Sequence, residues 1–192
     1  MGSYTTRIAE NSEIKDIIES IVSGYTDNKG IRHKPNKQVA TILTLQANLG
    51  CRIGDICSLK VENFVYDGNT WHLDMKEQKT GKSRVFIVPK PVKAFIDKWI
   101  KEKGIESGNL FSINEYAVWK QLRGACDYLG LNEVSCHSFR KAAGLRVYLD
   151  SGKDIALTTQ YYNHSSPSIT MKYLQRSSKQ MDEALTKSVL MV

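Results

Sequence analysis

Trp71-His72-Leu73-Asp74-Met75-Lys76, then Gln78-Lys79-Thr80-Gly81-Lys82, then Ser83-Arg84-Val85-Phe86-Ile87-Val88, is the one stretch of this 192-residue chain that reads clearly as β-structure. The first segment alternates apolar and polar residues, the period of a half-buried strand. The last is rich in β-branched and aromatic residues, which suit a pleated surface. Between them Gly81 supplies the freedom to take a positive φ that a tight turn needs. The stretch therefore predicts a hairpin with Lys79 at its tip, and Phe64 to Tyr66 is expected to add a short first strand.

Outward from the hairpin the signals are helical. Ile14, Ile17, Ile18, Ile21 and Val22 make one stripe over residues 9–24. Residues 28–35 are polar and loop-like, and residues 37–49 predict an apolar core helix stopped at Gly50. A further helix is expected near Arg52, carrying Ile56 and Leu59 inward. After the hairpin, Val92, Phe95, Ile96, Trp99 and Ile100 repeat at helical spacing, opened by Pro91 and closed near Gly104. Residues 114–129, 137–150 and 153–162 predict three more helices, and Ser166-Pro167 the cap and first position of a short helix bearing Tyr173. The fold class is mainly α with a small antiparallel β-sheet, an α+β arrangement expected as one domain over residues 1–192. Residues 1–36 form its lead-in helix and loop. The tail, residues 176–192, has an amphipathic stripe at Met181, Ala184, Leu185, Val189 and Val192, expected as a last helix.

Composition narrows the partners. Charged residues are 24% and hydrophobic residues 41%, the balance of a chain that folds around a core. No apolar run is long enough for a membrane helix, and the N-terminus opens no signal peptide. Cys51, Cys57, Cys126 and Cys136 form no C-x-x-C pair and no zinc spacing, so they read as thiols of a reducing cytoplasm and no metal is expected. A net charge of +7 with pI near 9.2, spread along the chain, favours a folded surface facing a polyanion such as nucleic acid.

The residues that carry chemistry are individually ordinary. His137 and Arg140, three apart, share a helix face: an imidazole that exchanges protons beside a guanidinium whose donor fork matches phosphate oxygens. Alone, H-x-x-R is also a helix start with an exposed arginine. Arg52 has Asp55 at i+3, placed to brace its guanidinium; alone, that is a surface ion pair. Lys79 at a hairpin tip is either a solvated turn residue or a mobile acid, and Lys82 competes for the second role. Tyr173 is one of nine tyrosines, with Tyr161 and Tyr162 as rivals and Tyr148 read as packing. A phenol attacks phosphorus only with help from cations and bases nearby. His33 and His72 read as incidental.

Taken in order, Gly50-Cys51-Arg52-Ile53-Gly54-Asp55, Lys79 in the hairpin, His137-Ser138-Phe139-Arg140 and Asn163-His164-Ser165-Ser166 followed by Tyr173 resemble the catalytic domain of the tyrosine recombinase (phage integrase) family. The resemblance runs from about residue 37 to 175. It implies that Tyr173 attacks a DNA phosphate to give a 3′-phosphotyrosine link, with neither metal nor cofactor. It further implies that Arg52 and Arg140 clamp the non-bridging oxygens, that Lys79 protonates the 5′-oxygen, that His137 assists proton transfer and that His164 hydrogen-bonds the phosphate. Asp55 matches the acidic position supporting the first arginine. Asn163 stands where members often have Gly, a mild change because Asn tolerates the left-handed conformation.

The resemblance also sets expectations about organisation. Members usually carry an N-terminal core-binding domain that closes around DNA. Too few residues precede the match for one, so an isolated catalytic domain is expected. The implied function is site-specific recombination of double-stranded DNA, serving a phage or mobile element by integration or excision. Its rivals are a type IB topoisomerase-like relaxing activity, and a non-catalytic DNA-binding module with residues 153–175 read as a helix-turn-helix pair. On DNA a homo-tetramer is implied, with the tail docked on a neighbour; the alternative expectation for the isolated domain is a monomer whose tail packs on its own core.

Overall fold

A computed structural model of the chain describes residues 6–174 together with Thr186. The tail stripe from Met181 to Val192 therefore lies outside the described residues. The chain divides into two compact units, the first ending at Ala143 and the second beginning at Gly144.

The first unit is built on one central helix. Helix α1 (Asn11–Ser23) buries Ile14, Ile17 and Ile21, while Val22 at the edge of the predicted stripe is exposed. Helix α2 (Lys37–Leu49) is buried on nearly every side, from Val39 to Leu49. Asn36 caps its start by accepting from the Val39 amide at 3.1 Å, and Gly50 ends it at φ 60°, where a side chain would be strained. Between α1 and α2, the stretch read as loop-like holds two strands of two residues each, β1 (Tyr25–Thr26) and β2 (Arg32–His33), paired antiparallel. Strands that short carry no periodicity in sequence. They are held by Asp27, which accepts from the Lys29 and Ile31 amides and meets His33, while the His33 ring stacks on Tyr25.

Helix α3 (Ile53–Cys57) follows, then the three-stranded sheet β3 (Phe64–Tyr66), β4 (Trp71–Lys76) and β5 (Ser83–Ile87), antiparallel throughout. The alternation in β4 puts Leu73 and Met75 in the core. In β5 the register faces Met75 with Arg84, so Arg84 points inward and is buried, while Val85 and Ile87 are more than half exposed. Helix α4 (Lys90–Lys103) packs Ile96 and Trp99 inward and ends at Gly104, as its spacing predicts. Helix α5 (Glu115–Tyr128) is capped by Asn114.

Helix α6 (Cys136–Asp150) contains the division between the units. The second unit continues with α7 (Ile155–Tyr162) and α8 (Pro167–Leu174). Asp154 caps α7 by accepting from the amides of Ala156 and Leu157. The unit has its own small core of Tyr148, Tyr162 and Leu174, so Tyr148 packs as expected. Gly144 is essential there: a Cβ on it would lie 1.9 Å from the Tyr162 ring. All four cysteines are free, three buried and Cys57 half-buried. Among the described residues no helix is long and apolar enough to cross a membrane.

Candidate active site

In the first unit the site grows from the C-terminal end of α2. There the last carbonyls lack helical partners and carry the negative end of the helix dipole, which favours cations. Two buried arginines supply them. Arg140 donates through Nη1 to the Gly50 carbonyl at 2.7 Å, and Arg84 through Nη2 to Leu49 at 3.4 Å. Arg140 is 1% exposed, the largest fully buried side chain among the described residues. A guanidinium that deep is costly unless acceptors meet it, and the Gly50 carbonyl is one. Its neighbour Lys141 is also buried and donates to the Thr6 carbonyl; burial lowers its proton affinity.

Arg52 stands just before α3, in extended conformation, with its guanidinium partly open to solvent. Its carboxylate partner is Glu77, at 2.7 Å and with a wholly buried side chain. Burial pushes the Glu77 carboxyl up, but the Thr80 hydroxyl and the Arg52 and Arg84 guanidiniums outweigh it and hold the group below its usual range. Asp55, expected to brace Arg52, takes a different partner: its Oδ1 accepts from the Gln78 amide at 2.9 Å. Its Oδ2 is buried without a hydrogen-bond partner. The i+3 geometry fails because Arg52 caps the helix rather than belonging to it, so the two side chains do not share a helical face.

Lys79 sits exposed at the tip of the β4–β5 turn, where Gly81 takes φ 66°. Lys82 is exposed on the same turn. His137 occupies the first turn of α6, where the Ser135 hydroxyl accepts from its amide and the Ser138 hydroxyl from that of Ser135. The ring reaches solvent yet is crowded by protein atoms. That crowding first, and then the positive charges of Arg140, Lys141, Lys79 and Arg52, lower its proton affinity below the ordinary histidine value. Arg52, Lys79, His137 and Arg140 thus share one electrostatic neighbourhood in the first unit.

The second unit holds the other two predicted residues. The His164 Nδ1 lies 3.0 Å from the Thr170 hydroxyl, which also meets Thr159. The His164 ring stacks on Tyr162 at 4.8 Å and meets Tyr173 edge-on at 5.3 Å. Tyr162 is itself buried and edge-on to Tyr173 at 5.0 Å, which makes it packing rather than a rival nucleophile. Asn163 ends α7 at φ 55°, ψ 37°, the left-handed conformation anticipated for it, and the chain turns there to present His164.

Glu77 and Arg84 were missed from sequence. Arg84 had a readable signal, since it alternates with Phe86 and Val88 on the inward side of β5. Glu77 had none, because the partner that places it in the site, Arg52, lies 25 residues earlier in the chain. His33 and His72 pair with Asp27 and Asp67 and stay outside this set. Among the described residues no group of three or more His, Cys, Asp or Glu could hold a metal ion.

The sequence model described as "Phage integrase family" matches residues 10–180. The chain is 34% identical to a protein of Bacillus subtilis (strain 168) described as "Probable integrase/recombinase YoeC", over 72% of this chain and 78% of that one. It is 26% identical to the tyrosine recombinase XerA of Pyrococcus horikoshii, over 95% of this chain and 67% of that protein. Among solved structures, a XerH site-specific recombinase in a post-cleavage complex with palindromic difH superposes with a TM-score of 0.71 at 17% identity. The match covers 94% of this chain but 53% of XerH. The catalytic domain of bacteriophage HP1 integrase superposes with a TM-score of 0.63 at 15% identity, over 95% of both chains. The fold is that of these catalytic domains, mainly α with a small antiparallel sheet, as the hairpin and its flanking helices predict. The chain belongs to the phage integrase family, as a tyrosine recombinase catalytic domain.

Proposed function

We propose that this chain cuts and rejoins double-stranded DNA at specific sites without a metal, through a covalent link to Tyr173. The observation that carries the reading is the buried Arg140, anchored on the Gly50 carbonyl, near a His137 whose proton affinity is lowered first by burial and then by the charges of Arg140, Lys141, Lys79 and Arg52. A histidine of lowered proton affinity among cations suits a site that takes an anion and moves protons beside it.

In the proposed reaction the Tyr173 oxygen bonds to phosphorus and the bond from phosphorus to the 5′-oxygen breaks. Arg52 and Arg140 hold the non-bridging oxygens as charge builds on them. The departing 5′-oxygen takes its proton from Lys79, while His137 assists transfer of the proton that the phenol gives up. His164 donates a hydrogen bond to the phosphate. Asp55 supports the arrangement from beneath, through the turn that carries Lys79. Rejoining is the reverse, with a 5′-hydroxyl as nucleophile. One phosphodiester is exchanged for another, so no ATP is consumed. Duplex DNA as the partner is supported by the net charge of +7 and by the DNA complexes of XerH and of lambda integrase, which share the fold. Assembly as a tetramer on DNA, in the service of a phage or mobile element, belongs to the same reading.

The test is covalent capture. The protein is incubated with a randomised library of nicked duplexes and resolved on a denaturing gel. An adduct that disappears in Tyr173→Phe is the expected result. An adduct that persists in Tyr173→Phe overturns the nucleophile, and a library that yields none overturns the reading. Captured sequences give the substrate for later experiments. Relaxation of supercoiled plasmid with no exchange between two captured duplexes would favour a topoisomerase-like activity.

A further inference from the structure

One buried carboxylate in the first unit meets both Arg52 and the turn that bears Lys79. Glu77 lies at the end of β4, two residues before Lys79. Its Oε2 is 2.7 Å from Arg52 Nη1 and accepts a 2.7 Å hydrogen bond from the Thr80 hydroxyl. The Glu77 backbone closes the turn as well, donating to the Lys82 carbonyl and accepting from the Gly81 amide at 2.9 and 2.8 Å. The Thr80 hydroxyl in turn accepts from the Lys82 amide at 3.3 Å. A solvated turn lysine needs none of this. A carboxylate with no exposed surface is costly unless it is paired, and here its pairings reach from Arg52 into the turn bearing Lys79.

We propose that Glu77 is a positioning residue that ties the Lys79 turn to the Arg52 guanidinium, with the Thr80 hydroxyl as the link. The role rests on the reading of Arg52 as phosphate clamp and Lys79 as leaving-group acid. Its consequence is geometric. Where Arg52 fixes a phosphate, Glu77 fixes the distance from that phosphate to the turn, so the acid meets the 5′-oxygen on the same phosphate. Asp55 secures the same turn from the other side through the Gln78 amide.

The test uses captured duplexes in two forms, with a normal 5′-oxygen or a bridging 5′-sulfur at the cleavage position. A sulfur leaving group departs without a proton, so it bypasses the acid. Thr80→Val is expected to slow the oxygen substrate by about tenfold or more, within the range that a positioned acid contributes, and to leave the sulfur substrate nearly unchanged. Thr80→Ser, which keeps the hydroxyl, restores the oxygen rate. Glu77→Gln slows both substrates, because Arg52 loses its charged partner as well. Equal slowing of both substrates by Thr80→Val, or no slowing of either, overturns the coupling.

Lys79→Ala is the control. If it fails to separate the two substrates, the acid assignment falls by itself. Amide exchange in the free protein then decides the coupling: Gln78, Thr80, Gly81 and Lys82 should exchange faster in Thr80→Val and Glu77→Gln, with α5 unchanged. Unchanged exchange at the turn overturns the coupling whatever Lys79 does.

Discussion

The two units hold their candidate site residues by opposite means. In the first, charge is fixed by charge and by backbone: Arg140 on the Gly50 carbonyl, Arg84 on Leu49, Arg52 on Glu77. In the second, Tyr173 and His164 are held by ring contacts around Tyr162 and by one hydroxyl relay through Thr170. The first unit has a large core built around α2, the second a small one. An anion clamp must be rigid before its ligand arrives, since electrostatic stabilisation depends on donors that need not reorganise. The proposed nucleophile has only to be oriented at the moment of attack, a task that suits a small aromatic cluster.

Four substitutions or conditions would break or sharpen this contrast. The largest effect is expected at Arg140. Arg140→Ala removes a proposed clamp and leaves the buried Gly50 carbonyl without its donor, so adduct formation should fall by about a thousandfold. Its stability loss should be about 3 kcal/mol, read by urea unfolding. Cleavage within about tenfold of the parent would show that the clamp lies elsewhere.

Next is Gly144→Ala. The added methyl would overlap the Tyr162 ring, so the second unit should lose about 2 kcal/mol or more. Amide exchange should rise in α7 and α8 and stay unchanged in α2 and β4. Equal loosening of both units would deny that they are separately stabilised.

Asn163 is a smaller lever. Asn163→Ala forces a poorly suited residue into the left-handed turn and should cost about 1 kcal/mol, whereas Asn163→Gly should be neutral or better. The melting temperatures of the two variants check this. Identical values would mean that the turn is set by something other than its backbone conformation.

The mildest effect is the pH response of His137. Its proton affinity is lowered in the folded state, so below about pH 6.5 the unfolded chain binds a proton that the folded one refuses. Its contribution to stability is therefore intact above that pH and declines as the pH falls toward the lowered value. The melting temperature of the parent should drop more than that of His137→Gln on acidification through this range. A larger drop in the variant would reverse the sign assigned here.

Much of this molecule was legible because its signals are local. The stripe of α1, the stop at Gly50, the alternation of β4, the Gly81 turn and the left-handed Asn163 each depend on residues a few positions apart, where helix and strand periods act directly. The order of Arg52, Lys79, His137, Arg140, His164 and Tyr173 was equally plain, since it is a property of the string. What only the tertiary structure decided is who meets whom across long separations. Arg140 finds a carbonyl 90 residues away, Arg84 one 35 residues away, and Asp55 leaves its neighbour Arg52 for an amide 23 residues on. Those pairings follow from how α2, the hairpin and α6 pack around a common core, where a buried charge takes whichever acceptor the packing brings within reach. That is why the order of the six candidate site positions could be read from sequence, while Glu77, which touches both Arg52 and the Lys79 turn, appeared only once the chain was folded.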